Sequence, residues 1–354
     1  MSLISLENFP SSPLGKNGFP WMPEENLPLP NLPHLPKITL ITPSFNQGQF
    51  LEETIRSVLL QNYPNLEYII VDGGSTDNSV EIIRKYEKWI SHWTSEPDQG
   101  QSHALNKGLA LATGDIFNWV NSDDLLAPGA LLAVARAFGQ QPETEVICGR
   151  FTMFSENSRR NRLRMEIFPS LEKTLIFGSV SPCCMYWRLP VLTSLGELDE
   201  RLDHCMDLEL WHRYVEKFGV EHFRFFEENL AFFRLHHASK TISRMGRSHV
   251  ERCNLQRSIL QSVHPSHPWL KAISKLGLPA CYERCWDFPT IDANAFALLS
   301  MQNMLQSFPL NFNRLDFFRL FFQCLLHSTC RGWSLWQIPL RRWKHQFSKL
   351  LHSA

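Results

Sequence analysis

From Lys37 onward, short apolar runs alternate with segments whose apolar residues recur at helical spacing. Ile38-Thr39-Leu40-Ile41-Thr42 is a strand-forming run that ends at Pro43. Leu51, Ile55, Val58 and Leu59 then repeat on one helical face. Glu67 to Val71 reads as a second buried strand, and Ser75-Thr76-Asp77 caps a helix reaching about Lys88. His92 to Ser95 predicts a third strand, Gln101 to Leu111 a helix, and Asp115 to Val120 a fourth strand. Pro128 opens a helix with Leu131, Val134, Ala135 and Phe138 on one face, and Glu145 to Cys148 resumes as strand. Further on, Leu198 to Phe218 predicts a loop entering a helix, and the chain beyond Arg247 reads as helical and irregular.

This alternation predicts an α/β domain, a mostly parallel sheet covered by helices on both faces. In such sheets ligands bind beyond the carboxyl ends of the strands. Three polar clusters fall there: Pro43-Ser44-Phe45-Asn46, Asp72-Gly73-Gly74 and Asn121-Ser122-Asp123-Asp124. Asp123 and Asp124 are adjacent carboxylates, which repel unless a cation lies between them. Mg²⁺ or Mn²⁺ would neutralise them and bridge to diphosphate oxygens. Asn, Ser and Asp also make ordinary solvated turns, so that reading stays open. Asp72 suits hydrogen bonding to a ribose or base, or a plain strand-to-helix turn helped by its glycines. Those glycines form neither a dinucleotide fingerprint nor a phosphate-binding P-loop.

Six segments, in order, closely resemble glycosyltransferase family 2. They are Thr42-Pro43-Ser44-Phe45-Asn46, Val71 to Asp77, Glu96 to Gln101 continued by Ala104 to Gly108, Asn121 to Asp124, Gly196 to Glu200 with Met206 to Trp211, and Arg234-Leu235-His236. The resemblance covers residues 37–245. It implies a GT-A fold, a Rossmann-like sheet flanked by helices, and inverting transfer from a nucleotide-diphosphate sugar, with a UDP-sugar expected. It places Pro43, Ser44 and Asn46 in the nucleotide pocket, with Asp72 and Asp98 at base or ribose. Asp124 would be a metal ligand, Asp123 would meet ribose or donor sugar, and His236 would reach the metal or diphosphate. Asp207 stands where the family carries its catalytic base.

Three positions depart from that pattern. Gly73 replaces an acidic residue, Leu105 replaces an arginine whose phosphate contact Lys107 could supply, and Met206 replaces an acidic residue before the base. Asp207 also begins a helix, where a cap role competes and the helix dipole would lower its pKa. Tyr186 and Trp187 suit either an acceptor wall or the core.

Composition narrows the classes further. Lys+Arg and Asp+Glu are equal at 35, so no global charge favours nucleic acid as a partner. Nine cysteines at irregular spacing, without paired CxxC units, point to reduced thiols rather than a zinc site. No secretory signal and no long apolar run is visible; Arg319 and Gln323 interrupt the stretch from Phe317 to Leu326. A cytoplasmic enzyme is expected. Residues 1–36 are proline-rich and read as an extended arm or linker. Residues 246–354 read as a helical extension. Within it, Arg331, Arg341, Arg342, Lys344 and Lys349 interleave with Trp333, Trp336 and Trp343, which suits either a packed cap or contact with an anionic membrane surface.

The expected partners are thus a nucleotide-sugar donor and a glycan or lipid-linked acceptor, with peripheral contact to the inner face of the plasma membrane. Two other classes compete: an inactive GT-A scaffold, and a nucleotidyltransferase. The four acids Asp72, Asp123, Asp124 and Asp207 argue against decay. Ser44-Phe45-Asn46-Gln47-Gly48 lacks the basic phosphate loop that a nucleotidyltransferase wants.

Overall fold

The computed structural model describes residues 9–22, 35–155, 158–162, 167–178, 181–237, 239–240, 245–274 and 281–307. Strand β1 (Ile38–Ser44) is buried along its whole length, as a central strand covered on both faces must be. It pairs in parallel with β2 (Leu66–Asp72) and β4 (Ile116–Trp119), and β2 pairs in parallel with β3 (His92–Ser95). Helices α1 (Gly48–Leu59), α2 (Ser79–Tyr86) and α3 (Gln101–Leu111) make the crossovers. Glu67 lies inside this parallel sheet. Its carboxylate accepts from Lys37 Nζ and Thr39 Oγ1, each at 2.6 Å, and from Thr113. A buried charge needs such partners.

The second half departs from the expected parallel order. Strands β5 (Leu125–Leu126), β6 (Val146–Ser155), β7 (Ser158–Arg162), β8 (Met185–Arg188) and β9 (Phe223–Arg234) complete the order β3-β2-β1-β4-β8-β6-β9-β5, with β7 on β6. There only β6 with β9 is parallel; β4–β8, β6–β8, β5–β9 and β6–β7 are antiparallel. Strand β6 continues seven residues past Cys148, because register shifts near Arg150 let it follow β9 around a bend. Helices α4 (Ala130–Gln140), α5 (Leu171–Phe177), α6 (Leu189–Leu195) and α7 (Met206–Phe218) cover this half. Tyr186 and Trp187 are 0% and 1% exposed, so they belong to the core and not to an acceptor wall.

Residues 9–22 of the proline-rich arm dock on α1. The hub is Arg56, 2% exposed, which donates to the carbonyls of Pro10, Pro20 and Trp21 and to the Tyr86 hydroxyl. Its guanidinium also stacks over Phe9 and Trp21. Three of its carbonyls are thereby satisfied on one buried cation, and turns at Pro13–Lys16 and Gly18–Met22 bond internally, so the arm is not simply extended.

Past β9 come α8 (Met245–Val263), α9 (Pro268–Ser274) and α10 (Ala293–Ser307). They pack on the sheet domain: Asn303 Nδ2 donates to Ile176 O at 3.2 Å, and Asp292 N–H to Glu172 Oε1 at 2.9 Å. The basic aromatic stretch from Leu315 to Leu351 lies outside the described residues. Among the described residues no helix is long and apolar enough to cross a membrane, and all seven cysteines are free thiols.

Candidate active site

The carboxyl ends of β1, β2 and β3 gather the first group of expected residues. Pro43 and Ser44 close β1, opposite Val71 and Asp72. The Ser44 hydroxyl is buried and has no hydrogen-bond partner, which leaves it free for a ligand. Asn46, in the left-handed region at φ 52°, spans to the neighbouring turn. Its Oδ1 accepts from Thr76 N–H at 2.8 Å, and its own N–H donates to Ser75 Oγ. Between them Phe45 projects outward, 58% exposed.

Asp72 and Asp98, both expected at base or ribose, sit in different surroundings. Asp72 is fully buried, and its oxygens accept from Ser75 N–H, Ser75 Oγ and Ser95 Oγ at 2.6–2.9 Å. It holds the turn through these three bonds. Asp98 is only half-buried, and one oxygen accepts from Gly100 N–H at 2.8 Å. A Cβ on Gly73 would lie 2.6 Å from Asp98 Oδ2. The Asp98 carboxylate thus occupies the space that a side chain at position 73 would need. Lys107 is paired with Glu96, so its charge is already engaged.

The turn Asn121–Asp124 is held from three sides. Thr54 Oγ1 donates to the carbonyls of Ser122 and Asp124. Arg234 Nε donates to Asp123 O at 2.8 Å, its backbone N–H to Asp124 Oδ1 at 2.9 Å, and its Nη2 to Glu53 at 2.6 Å. Gln101 Nε2 donates to Asn121 Oδ1 at 2.7 Å. His236 Nε2 lies 2.9 Å from Asp123 Oδ2, and the His236 ring packs on Phe50. Asp124 is 1% exposed; burial and the neighbouring Asp123 charge push its carboxyl well above the usual range.

Asp123, Asp124 and His236 are the residues that would hold a divalent cation. Asp123 and His236 already face one another, and Asp124 Oδ2 has only a long 3.3 Å bond from Asn121. Carboxylates with one imidazole suit Mg²⁺ or Mn²⁺. No cluster of three or more His, Cys, Asp or Glu stands ready among the described residues. The remaining coordination would come from water or a diphosphate, as is usual for Mg²⁺ beside a nucleotide.

Asp207 sits in the first turn of α7, behind a loop tied to α3. Ser102 Oγ donates to Leu202 O, and Asn106 Nδ2 to Leu198 O. Lys240 Nζ bridges Gln101 Oε1 and Asp203 Oδ1. Gln101 therefore connects the Asn121 turn to the loop before Asp207. The carboxylate of Asp207 accepts from Leu208 N–H at 2.7 Å, and Cys205 occupies the cap position. Burial pushes the Asp207 carboxyl up to about 6, against the lowering by the Leu208 N–H and by Arg252. The helix-terminus argument expected a lowered value; desolvation outweighs it. A carboxyl near 6 is matched to proton removal at neutral pH.

Gln101, Arg234 and Phe45 were not singled out from sequence. Arg234 lay inside a quoted motif, but its grip on the acidic turn bridges more than 100 residues of chain.

Residues 39–191 match the family model of Glycosyl transferase family 2. An uncharacterized glycosyltransferase of Rickettsia typhi is 28% identical over 219 residues, covering 58% of this chain and 66% of that protein. One from Mycobacterium tuberculosis is 36% identical over 114 residues, covering 31% and 44%. The chain thus spans somewhat under two thirds of the first relative and less than half of the second. A solved structure of S. aureus TarS in complex with UDP-GlcNAc matches with TM-score 0.56 at 17% identity, over 82% of this chain and 79% of that one. That match establishes the fold as the GT-A type.

Proposed function

We propose that this protein moves a sugar from a nucleoside-diphosphate donor, with a UDP-sugar the expected one, to a hydroxyl acceptor on a glycan or lipid-linked glycan. The observation that supports the reading is the placement of these groups: the unpartnered Ser44 hydroxyl, the Asp98 carboxylate and the Asp123–His236 pair at or just past strand ends, and Asp207, raised to about 6, in the first turn of α7.

In this reading the nucleotide lies over the ends of β1 to β3. Ser44 donates to it, and Asp98 accepts from base or ribose. Phe45 offers an exposed ring for stacking. Asp123, Asp124 and His236 would hold Mg²⁺ or Mn²⁺, which would stabilise charge on the departing diphosphate. Asp207 takes the proton from the acceptor hydroxyl as its oxygen bonds to the anomeric carbon. The anomeric carbon–oxygen bond to the diphosphate breaks, and the nucleoside diphosphate leaves with the electron pair. Attack opposite the leaving group inverts the anomeric centre. The half-buried position of Asp207 keeps bulk water from outcompeting that hydroxyl.

Calorimetric titration of UDP and GDP, with and without Mn²⁺, tests the donor site. One nucleotide should bind more tightly with metal, and Asp98→Asn should weaken it. Absence of binding by either nucleotide under both conditions would move the reading to an inactive scaffold.

A further inference from the structure

The described C-terminal helices lie beyond the segment that carries the family match, yet α8 reaches the loop that presents Asp207. Glu251, on α8, is 1% exposed. Its carboxylate accepts three consecutive backbone N–H groups of that loop: Asp203 at 3.2 Å, His204 at 2.8 Å and Cys205 at 3.0 Å. Burying a carboxylate this fully is costly unless such donors surround it. These residues lead straight into α7, whose cap residue Cys205 makes no side-chain cap bond. Glu251 instead holds the three residues that lead into the helix, the last of them 46 positions away, and places a negative charge at the positive end of the helix.

We propose that Glu251 is a positioning residue for Asp207: its three-point hold on residues 203–205 fixes the direction and electrostatic setting of the base. The inference rests on Asp207 acting as that base. Two things make the hold matter for catalysis as well as for stability. Asp207 lies two residues beyond the last captured N–H, so a shift of the loop moves its carboxylate directly. The Glu251 charge also acts on Asp207, opposing its ionisation, whereas Arg252 on the next position of α8 favours it.

The surroundings of both acids are accounted for. Around Asp207 stand Arg252 and Glu251 from α8, the Cys205 thiol, and the Leu208 N–H. Around Glu251 stand Arg247, at 3.5 Å on the same helix, with Asp203, His204 and the Cys281 thiol. Arg247 also lies 3.6 Å from Asp203, and Lys240 pairs with Asp203 at 2.6 Å. The loop is therefore clamped at its backbone by Glu251 and at the Asp203 side chain by two cations.

The test uses the full chain with Glu251→Gln, which keeps the shape but replaces one acceptor oxygen by an NH₂ facing backbone N–H groups. Two readouts are taken. The first is the titration midpoint of Asp207, followed by NMR of the carboxyl carbon in aspartate-labelled protein. The second is turnover of the nucleotide-sugar donor, with kcat and KM separated. Loss of the Glu251 charge should lower the midpoint. Displacement of the base should cut kcat about tenfold to a hundredfold while leaving donor KM unchanged. Glu251→Asp keeps the charge but withdraws it by one methylene; it should hold the midpoint and still lose part of kcat, and it stands in if the glutamine variant does not fold. An unchanged midpoint together with unchanged kcat in Glu251→Gln overturns the inference. Wild-type protein that turns over no donor, with a midpoint that still moves, upholds the contact and instead refutes the transferase reading.

Discussion

Replacing Arg56 by alanine should release the N-terminal arm from the domain. Arg56 makes four hydrogen bonds, three of them to arm carbonyls, and stacks on two arm rings. Bonds from a charged donor contribute roughly 1.5–3 kcal/mol each when the acceptor stays buried, so a rigid arm would lose about 6–12 kcal/mol. The arm is not rigid. On detaching, its carbonyls return to water, and the loss is limited to the free energy of docking plus the bond to Tyr86. That leaves about 2–4 kcal/mol, or roughly 4–16 °C in Tm for a domain of this size. Arg56→Lys should fall between, because an ammonium offers three donors and no planar fork. Hydrogen exchange over residues 9–22, read beside thermal unfolding, checks both parts. If Arg56→Ala keeps the amide protection of residues 9–22, burial of Phe9 and Trp21 alone secures the arm and the reasoning fails.

Three further outcomes follow from the site and the sheet. Asp98→Asn should weaken nucleotide binding by roughly tenfold to a hundredfold, the loss of one hydrogen bond to a charged acceptor, measured by calorimetry; unchanged affinity would remove Asp98 from the pocket. Donor turnover should rise with pH through about 6 as Asp207 loses its proton, and a flat profile between pH 5 and 7 would contradict its role as base. Burial pushes Glu67 up, but hydrogen bonds from Lys37, Thr113 and Thr39 outweigh it and hold its carboxyl at about 2. Its folded value lies below the ordinary one, so its contribution is present above about pH 4.5 and is lost as pH falls toward 2. Glu67→Gln should therefore lose more stability in urea at pH 7 than at pH 3, and an equal loss at both would refute the ionised pairing.

The first half of the fold was legible because its elements follow local rules. Helix α3 starts and stops where the helical period does, at Gln101 and Leu111, and His92–Ser95 is the predicted third strand. Strand β6 outran its apolar signal because its later residues are shaped by pairing with β9 through a bulge, a long-range effect. The same distinction runs through the site. Residue types and order pointed to strand-end acids, but they could not tell that Asp72 accepts from Ser75 and Ser95 while Asp98 accepts from Gly100 N–H. The helix-dipole argument for Asp207 was sound as a local statement and lost to desolvation by tertiary packing. His236 meeting Asp123 and Glu251 holding Cys205 join residues 113 and 46 positions apart, which no spacing rule encodes. The docked arm is similar: eight prolines describe an extended chain, and only the buried Arg56 shows where it is held.

The most direct test of the transferase reading is donor hydrolysis by wild-type protein and Asp207→Asn, across a panel of nucleotide sugars, with and without Mn²⁺. Slow transfer to water should release nucleoside diphosphate from one donor only when metal is present, and Asp207→Asn should bind that donor but release far less. Metal-independent release, or release by Asp207→Asn at the wild-type rate, would contradict the assignment of the crevice and its base.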